Sequence, residues 1–483
     1  MTYTIRTSQL IPAGIDRSWT FFSRAENLGR ITPASMGFEM KAPGAELANG
    51  TLIDYTIRPL LGIPAGWQTR IEAWDPPRSF RDVQLKGPYR RWVHTHTLTA
   101  VEGGTRVDDV VEYQLPFGPL GRLAHGWLVR PELNPIFAHR RVAIDAIFEP
   151  VPEAARTTAK PGVVVVAGGT GFVGGAIARE LRRRGRTVVV LSSRGETARG
   201  ELPDDIEIRQ ADVRTGAGLA EALKGVDELV ISLAFPGSPI ERPKVGATFM
   251  EVDAAGTERL VAAAQAARVS RLVYMSGAGA APNASRHWFR AKWRAEEAVR
   301  GAGLTWTIIR PTWIYGPGDV ALNRFLGFGR LLPFVPMTSF GRQALAPVFI
   351  DDAAKLAADS LEADAAANQL SELGGPETMS MREIIRRTLR VAGLRRPIMP
   401  APAALMRLLA YPMQLLPNPL LTPDAVIFIN QPATVDLAPL QARMPRRLTP
   451  LEEGLATYLG PPDGRVCSRG SAGSVEEVGP LGH

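Results

Sequence analysis

Cysteine is almost absent: the 483 residues contain one, Cys467. An intrachain disulfide framework and a cysteine zinc site are both excluded, which fits a reducing compartment such as the cytoplasm. No run of 18 or more uninterrupted apolar residues occurs, so no membrane span is expected. The opening Met1-Thr2-Tyr3-Thr4-Ile5-Arg6 lacks the apolar core of a secretory signal. Basic residues outnumber acidic ones, 56 to 48, for a formal net charge of +8. They are scattered arginines, with no basic block or aromatic-interleaved stripe, so nucleic acid is not an expected partner. An anionic cofactor suits the same excess of charge. Hydrophobic residues at 45% and charged residues at 22% are ordinary globular values and supply a core that needs no disulfides.

Two composition breaks divide the chain. Residues 149–161, EPVPEAARTTAKP, have no apolar period and read as an exposed linker. Residues 463–483 are rich in Gly, Ser and charge and are expected to be disordered. The expectation is therefore one domain over 1–148 and a second over 162–462, with no internal repeat relating them.

The first part reads as α+β. A strand is expected at 3–10, a short helix at 17–26, then strands at 50–57, 68–75, 78–86, 91–101 and 105–115, separated by turn signals such as Asp75-Pro76-Pro77 and Glu102-Gly103-Gly104. A last helical segment spans 122–148, broken near Pro131 and Pro135. This order resembles the START/polyketide-cyclase-like (SRPBCC) family. The resemblance implies a helix-grip fold, a curved sheet around the last helix, with an apolar cavity for a hydrophobic small molecule or lipid.

Alternation on 91–101 puts Trp92, His94, His96 and Leu98 on one face. Two histidines at i, i+2 have metal-ligand spacing. No carboxylate is evident beside them, so they read as a pocket-lining or hydrogen-bonded pair, and no metal is assigned. Asp109 falls on the inward face of 105–115, where it orients a ligand, acts as a base or pairs with an arginine.

The strongest signal starts at residue 162. Val163-Val164-Val165-Val166-Ala167 is a continuous apolar run, as a strand buried on both faces requires. Gly168-Gly169-Thr170-Gly171-Phe172-Val173-Gly174 follows, then a helical pattern and a second buried strand at 187–191. Gly168 permits a tight turn, Gly171 lets the backbone approach a pyrophosphate, and Gly174 brings helix onto strand. The helix N-terminus offers free N–H groups to the phosphates, with Thr170, Phe172 and Val173 beside them.

The GxxGxxG spacing resembles the short-chain dehydrogenase/reductase superfamily, an α/β Rossmann fold with a doubly wound parallel sheet and a small helical cap. Further elements support the likeness: Gln210-Ala211-Asp212-Val213 after a third strand, a fourth strand at 229–234, Val252-Asp253-Ala254-Ala255-Gly256-Thr257 opening a helix, Leu272-Val273-Tyr274-Met275-Ser276-Gly277, the turn 310–318, and Pro347-Val348-Phe349-Ile350-Asp351-Asp352. The resemblance places Asp212 and Val213 at the adenine, and Ala234 and Pro311 along the cofactor. The second strand ends in Ser192-Ser193-Arg194. An acid there would bind the ribose 2′-hydroxyl, whereas Arg194 pairs with a 2′-phosphate. The expected cofactor is therefore NADP(H) rather than NAD(H), with Glu196 as the alternative ribose partner.

Active members of that superfamily carry Tyr-x-x-x-Lys. Here Lys292 stands at the lysine position, but Trp288 stands four residues earlier, where it cannot pass a proton. The resemblance keeps Lys292 on the nicotinamide ribose and puts Ser276 near the catalytic Ser/Thr position. His287 is a substitute acid to weigh. A glycine motif without the tyrosine resembles the atypical branch, and within it the NAD(P)H-binding accessory subunit family of respiratory complex I.

Residues 401–421, APAALMRLLAYPMQLLPNPLL, carry one charge and several prolines. They read as a buried cap over the cleft, with a membrane-surface segment as the alternative. Two functions stay open. One is an NADP(H)-dependent oxidoreductase or epimerase-like enzyme for an apolar quinone- or lipid-like substrate. The other is a non-catalytic structural or redox-sensing nucleotide module, with peripheral membrane or complex association. A monomer or a homodimer is expected.

Overall fold

A computed structural model describes residues 1–33, 36–41, 46–58, 64–116, 129–235, 241, 243, 246–413, 423–459 and 475–478. The first sheet is antiparallel. Its strands are β1 (Tyr3–Ile11), β2 (Glu39–Met40), β3 (Leu52–Ile57), β4 (Ala65–Asp75), β5 (Ser79–Lys86), β6 (Arg91–Val101) and β7 (Gly104–Gln114). They run in the order β2-β3-β4-β5-β6-β7-β1. Two helices cover the inner face, α1 (Ile15–Phe22) and α2 (Arg130–Phe148). Phe21, Phe22, Ile71, Phe80, Leu98 and Val107 pack with Ala143, Ile144, Ile147 and Phe148 of α2. This is the helix-grip arrangement.

Pro131 lies in the first turn of α2, where its missing N–H has no helical acceptor to lose. The helix runs on through Pro135, where a break was expected. The upstream part of the expected segment, 122–128, lies outside the described residues. Val475–Val478, in the tail expected to be disordered, instead pairs antiparallel with the outer edge of β1. An edge strand with unpaired N–H and C=O groups is a ready template for such an addition.

The second sheet is parallel throughout. Its strands are β8 (Val163–Ala167), β9 (Thr187–Ser192), β10 (Glu207–Gln210), β11 (Glu228–Ile231), β12 (Arg271–Met275), β13 (Thr305–Pro311) and β14 (Gln369–Leu373). The spatial order is β10-β9-β8-β11-β12-β13-β14. Val164 and Val166 face one core, with α3 (Phe172–Arg183) and the later helix Ile350–Glu362. Val165 and Ala167 face the other, with α4 (Gly256–Ala266) and α5 (His287–Arg300). Burial on both faces explains the continuous apolar runs of the central strands β8, β9 and β11.

From β8 the chain goes outward to β9 and β10, then returns to β11 on the other side of β8. The crevice at this reversal, beyond the carboxyl ends of the strands, is where such sheets bind ligands. The two sheets are joined by Arg30, which donates to the carbonyls of Gly200 (2.9 Å) and Leu202 (2.8 Å) and pairs with Asp204.

The cap contains helices Val320–Leu331, Met381–Val391, Ala403–Met413 and Pro423–Ile429. One expectation needs correction. Leu405, Leu408 and Tyr411 of Ala403–Met413 are exposed, although Ala410 is buried, so this helix is not a buried cap. Residues 414–422 lie outside the described set. Among the described residues no helix is long and apolar enough to cross a membrane.

Candidate functional site

The glycine loop sits at the sheet's reversal, and its three motif glycines are required for different reasons. Gly168 has φ +81°, and a Cβ there would lie 2.3 Å from the Ser232 carbonyl oxygen of the neighbouring crossover. At Gly174 a Cβ would lie 2.2 Å from the Gly168 carbonyl oxygen. Both positions are closed by the protein's own backbone. Gly171 is exposed and has ordinary extended geometry (φ −92°, ψ 176°). Its Cβ would meet one atom, the Gly168 carbonyl oxygen, at 3.2 Å. Internal packing therefore gives little reason for glycine at 171, whereas an external group lying over the loop gives a direct one.

Helix α3 starts at Phe172, and its first internal hydrogen bond runs from Gly175 N–H to the Gly171 carbonyl. The N–H groups of Phe172, Val173 and Gly174 thus stand free of intrahelical acceptors. The first turn holds no acidic side chain to compete for them. Thr170 is half-buried in the loop. This is a cradle for a pyrophosphate, so the residues present fit a dinucleotide.

The other expected contacts also fall at the strand ends. Ser192 closes β9, and its Oγ accepts from the Arg194 N–H at 3.2 Å. The Arg194 side chain is exposed, with no ion-pair partner among the described residues. Glu196, the alternative ribose partner, is instead held by Arg199 at 2.8 Å. Asp212 and Val213 follow β10. The Asp212 carboxylate accepts from Arg214 through backbone (2.8 Å) and guanidinium (3.0 Å). Burial raises its pKa, but the Arg214 contacts outweigh this and hold it below the usual carboxylate range. Ala234 is exposed just past β11, and Pro311 ends β13.

Lys292, on α5, reaches across two strand ends. Its Nζ donates to the Leu233 carbonyl at 2.8 Å and to that of Met275 at 3.5 Å. It also pairs at 2.9 Å with Asp253, which is 1% exposed. Asp253 lies in the π-helical turn Met250–Ala255, a local widening frequent at functional sites. Burial raises the Asp253 carboxyl above its ordinary range, with Lys292 pulling the other way. The sequence reading quoted Asp253 as a helix start and missed this pairing.

Trp288 is buried where the superfamily has its tyrosine. Phe249, Phe289 and Phe428 ring it at 6.0–6.1 Å between centroids, with His287 at 5.0 Å. His287 Nε2 lies 3.4 Å from Glu241. Ser276 requires a correction. Its Oγ donates to Glu296 at 2.6 Å, and Glu296 is fully buried. Arg310 and Arg300 also converge on that carboxylate, both at 2.7 Å. The hydroxyl is thus bound into a charged network behind the cleft and is not free for a substrate oxygen. Glu296 is the hub of this network.

The helix-grip sheet encloses a cavity of about 200 Å³, many times the space one water needs. Its walls are apolar and aromatic, including Phe21, Ile71, Trp67, Phe80, Leu133 and Phe137. Asp82, His94, His96 and Arg140 form a polar end. The expectation that no carboxylate sits beside the histidines is overturned. β5 pairs with β6 so that Asp82 lies opposite His94, and β7 puts Asp109 opposite His96. Asp109 also faces Arg140 at 3.5 Å. Burial pushes Asp109 up, but Arg140 and the imidazoles outweigh it and hold it well below the usual range.

A family described as NAD(P)H-binding matches residues 168–326. The chain is 31% identical over 240 residues to the (4-alkanoyl-5-oxo-2,5-dihydrofuran-3-yl)methyl phosphate reductase of Streptomyces griseus subsp. griseus, covering 48% of this chain and 74% of that protein. This chain belongs to the atypical short-chain dehydrogenase/reductase family, and it binds NAD(P)H. It is also 29% identical over 225 residues to the NADH-ubiquinone oxidoreductase 40 kDa subunit of Neurospora crassa, covering 45% of this chain. There it spans only 57% of the relative's length. In fold, the crystal structure of gox2253 superposes with a TM-score of 0.50 at 21% identity, covering 62% of this chain and 97% of that one. The family match at 168–326 falls on the parallel sheet and reaches the helix Val320–Leu331.

Proposed function

We propose that this protein is an NADP(H)-dependent reductase of an apolar acceptor that needs no protein acid, such as a quinone or a conjugated enone. The observation that carries the reading is the aromatic enclosure at Trp288. Phe249, Phe289 and Phe428 surround the position from which a tyrosine would otherwise protonate the substrate. When bound, NADP(H) supplies a hydride. The loop 168–174 with the first turn of α3 would hold its pyrophosphate, Arg194 its 2′-phosphate, and Lys292 the nicotinamide ribose.

On this reading the residues at the usual donor positions bind and exclude water, and neither delivers a proton to a substrate oxygen. Trp288 cannot, and the Ser276 hydroxyl is committed to Glu296. Reduction of an isolated ketone produces a strongly basic alkoxide and depends on such a donor. Reduction of a quinone or enone leaves a far weaker base, a phenolate or enolate, that solvent can protonate. The name of the Streptomyces relative, a reductase of an unsaturated oxo compound, agrees with this class. The SRPBCC-like half, on this reading, holds or delivers the apolar molecule.

A second reading rests on the same residues. With Trp288, and with Ser276 withdrawn, the nucleotide is held without turnover, as a structural or redox-sensing module. The resemblance to a respiratory-complex subunit agrees with it. NADPH oxidation by the full chain separates the readings. A quinone or enone that is reduced while a saturated ketone is not supports the first. Equal rates on both refute it. Bound NADPH oxidised by no acceptor selects the second.

A further inference from the structure

The polar end of the helix-grip cavity is unrelated to the nucleotide cleft, and its atoms are arranged in two layers. On the cavity side, one oxygen of Asp82, Oδ2, lies 3.5 Å from His94 Nδ1 and 3.2 Å from His96 Nε2. On the inner side, one oxygen of Asp109, Oδ1, lies 3.3 Å from His94 Nε2 and 2.6 Å from His96 Nδ1. Every imidazole nitrogen of the pair thus faces a carboxylate oxygen. The imidazole side chains are 7% and 5% exposed, and that of Asp109 is 8% exposed.

Hydrogen bonding alone satisfies this arrangement poorly. A neutral imidazole has one N–H and one lone pair. Four favourable contacts would need four N–H groups, hence two adjacent imidazolium rings with centroids 3.9 Å apart. With either ring neutral, a nitrogen lone pair faces a carboxylate oxygen. A cation on the cavity side removes the conflict. Each histidine then donates its inner N–H to Asp109 and gives its outer lone pair to the metal, which Asp82 also ligates.

We propose that Asp82, His94 and His96 form a divalent-metal site, with zinc as the best match. Asp82 Oδ2, one nitrogen of His94 and one of His96 lie within 4.8 Å of one another. Zinc bonds of about 2.0–2.1 Å in a tetrahedron put ligands about 3.3 Å apart, close to the observed 3.2 and 3.5 Å. Asp109 serves as the outer carboxylate that fixes both imidazoles, and Arg140 balances its charge. Three protein ligands leave a fourth position open toward the cavity, the pattern of a site that engages a ligand rather than a structural one. The surrounding Phe80, Trp67 and Phe137 fit an apolar molecule with a carbonyl, enolate or carboxylate oxygen for the metal.

The test uses the full chain, stripped with a chelator and titrated with Zn²⁺ or Co²⁺. One equivalent should bind, with the intense visible absorption of four-coordinate Co²⁺. Asp82→Ala, at the half-buried edge of the cluster, should weaken binding by at least about 100-fold, and Asp109→Asn by about 10–100-fold. Circular dichroism and thermal melting confirm that each variant is folded. Should Asp82→Ala not fold, His94→Gln takes its place. Wild-type protein that takes up no stoichiometric ion overturns the proposal. So do folded variants that bind Co²⁺ with wild-type affinity and spectrum.

Discussion

Gly171 and Gly174 sit three residues apart in one motif, yet the structure assigns their substitution opposite consequences. Gly171→Val places a side chain on a backbone already in the extended region (φ −92°, ψ 176°), where β-branched residues are comfortable. The Cβ meets only the Gly168 carbonyl oxygen, at 3.2 Å. Exchange of a tolerated N-cap glycine for valine costs roughly 0.5–1 kcal/mol, so stability should change by about 1 kcal/mol. The valine methyls, however, occupy the space above the free N–H groups, and NADPH affinity should fall by at least about 100-fold, about 3 kcal/mol.

Gly174→Ala reverses the pattern. Its methyl would lie 2.2 Å from the Gly168 carbonyl oxygen and 3.0 Å from the Gly169 Cα, both backbone atoms that cannot swing away. Overpacking of about 3 kcal/mol, less about 1 kcal/mol of helix propensity, leaves a net loss of about 2 kcal/mol. In a domain of about 300 residues that corresponds to a Tm lower by about 3 °C. Thermal melts without nucleotide and fluorescence titration with NADPH measure the two effects. A Gly171→Val protein that melts normally and binds NADPH as tightly as wild type would refute the placement of the pyrophosphate. One that fails to fold would refute the claim that Gly171 faces open space.

Four further outcomes follow from named contacts. Arg194→Asp should reverse the preference of NADPH over NADH in paired titrations, because the freestanding guanidinium is exchanged for an anion that repels a 2′-phosphate; an unchanged ratio removes Arg194 from the account. Ser276→Ala should leave acceptor turnover within about 3-fold of wild type and cost about 1 kcal/mol of stability. Glu296→Ala, which strands Arg300 and Arg310, should cost about 3 kcal/mol in denaturant melts. Asp319 caps the helix Val320–Leu331 through the N–H groups of Ala321 and Leu322, and burial raises its pKa to about 6. A raised carboxyl favours the folded state at low pH, and that advantage is lost as pH rises from its unfolded value, near 4, through 6. Asp319→Asn keeps one of the two cap acceptors and removes the buried charge. It should match or exceed wild-type Tm at pH 7, and its stability relative to wild type should fall by about 1 kcal/mol at pH 5; no change in that difference refutes the raised pKa.

The parallel sheet was legible because its central strands obey one rule that sequence displays openly. Burial on both faces leaves runs such as 163–167 apolar at every position, and the glycines follow at once. The antiparallel sheet was legible in order but not in its site. Asp82 and His94 meet only through the register of β5 on β6, and a strand's own alternation shows which face a residue takes without naming its cross-strand partner. Ser276 was placed correctly at the end of β12, yet its hydroxyl direction depends on Glu296, twenty residues on and on another element. The exposed face of Ala403–Met413 shows the same limit. Its composition is that of a core helix, and only the packing reveals that Leu405, Leu408 and Tyr411 point outward. Strand addition by Val475–Val478 depends on the free edge of β1, which a reading of the tail's composition does not include.

The central claim is that the crevice at the end of β8 holds NADP(H). Mass spectrometry of small molecules released from the purified, denatured full chain tests it most directly, followed by titration of the emptied protein with NADPH and NADH. The account predicts NADP(H) in the released fraction, or one tight NADPH site per chain with weaker NADH binding. Release of a different nucleotide, with no saturable binding of either nicotinamide cofactor, would contradict it.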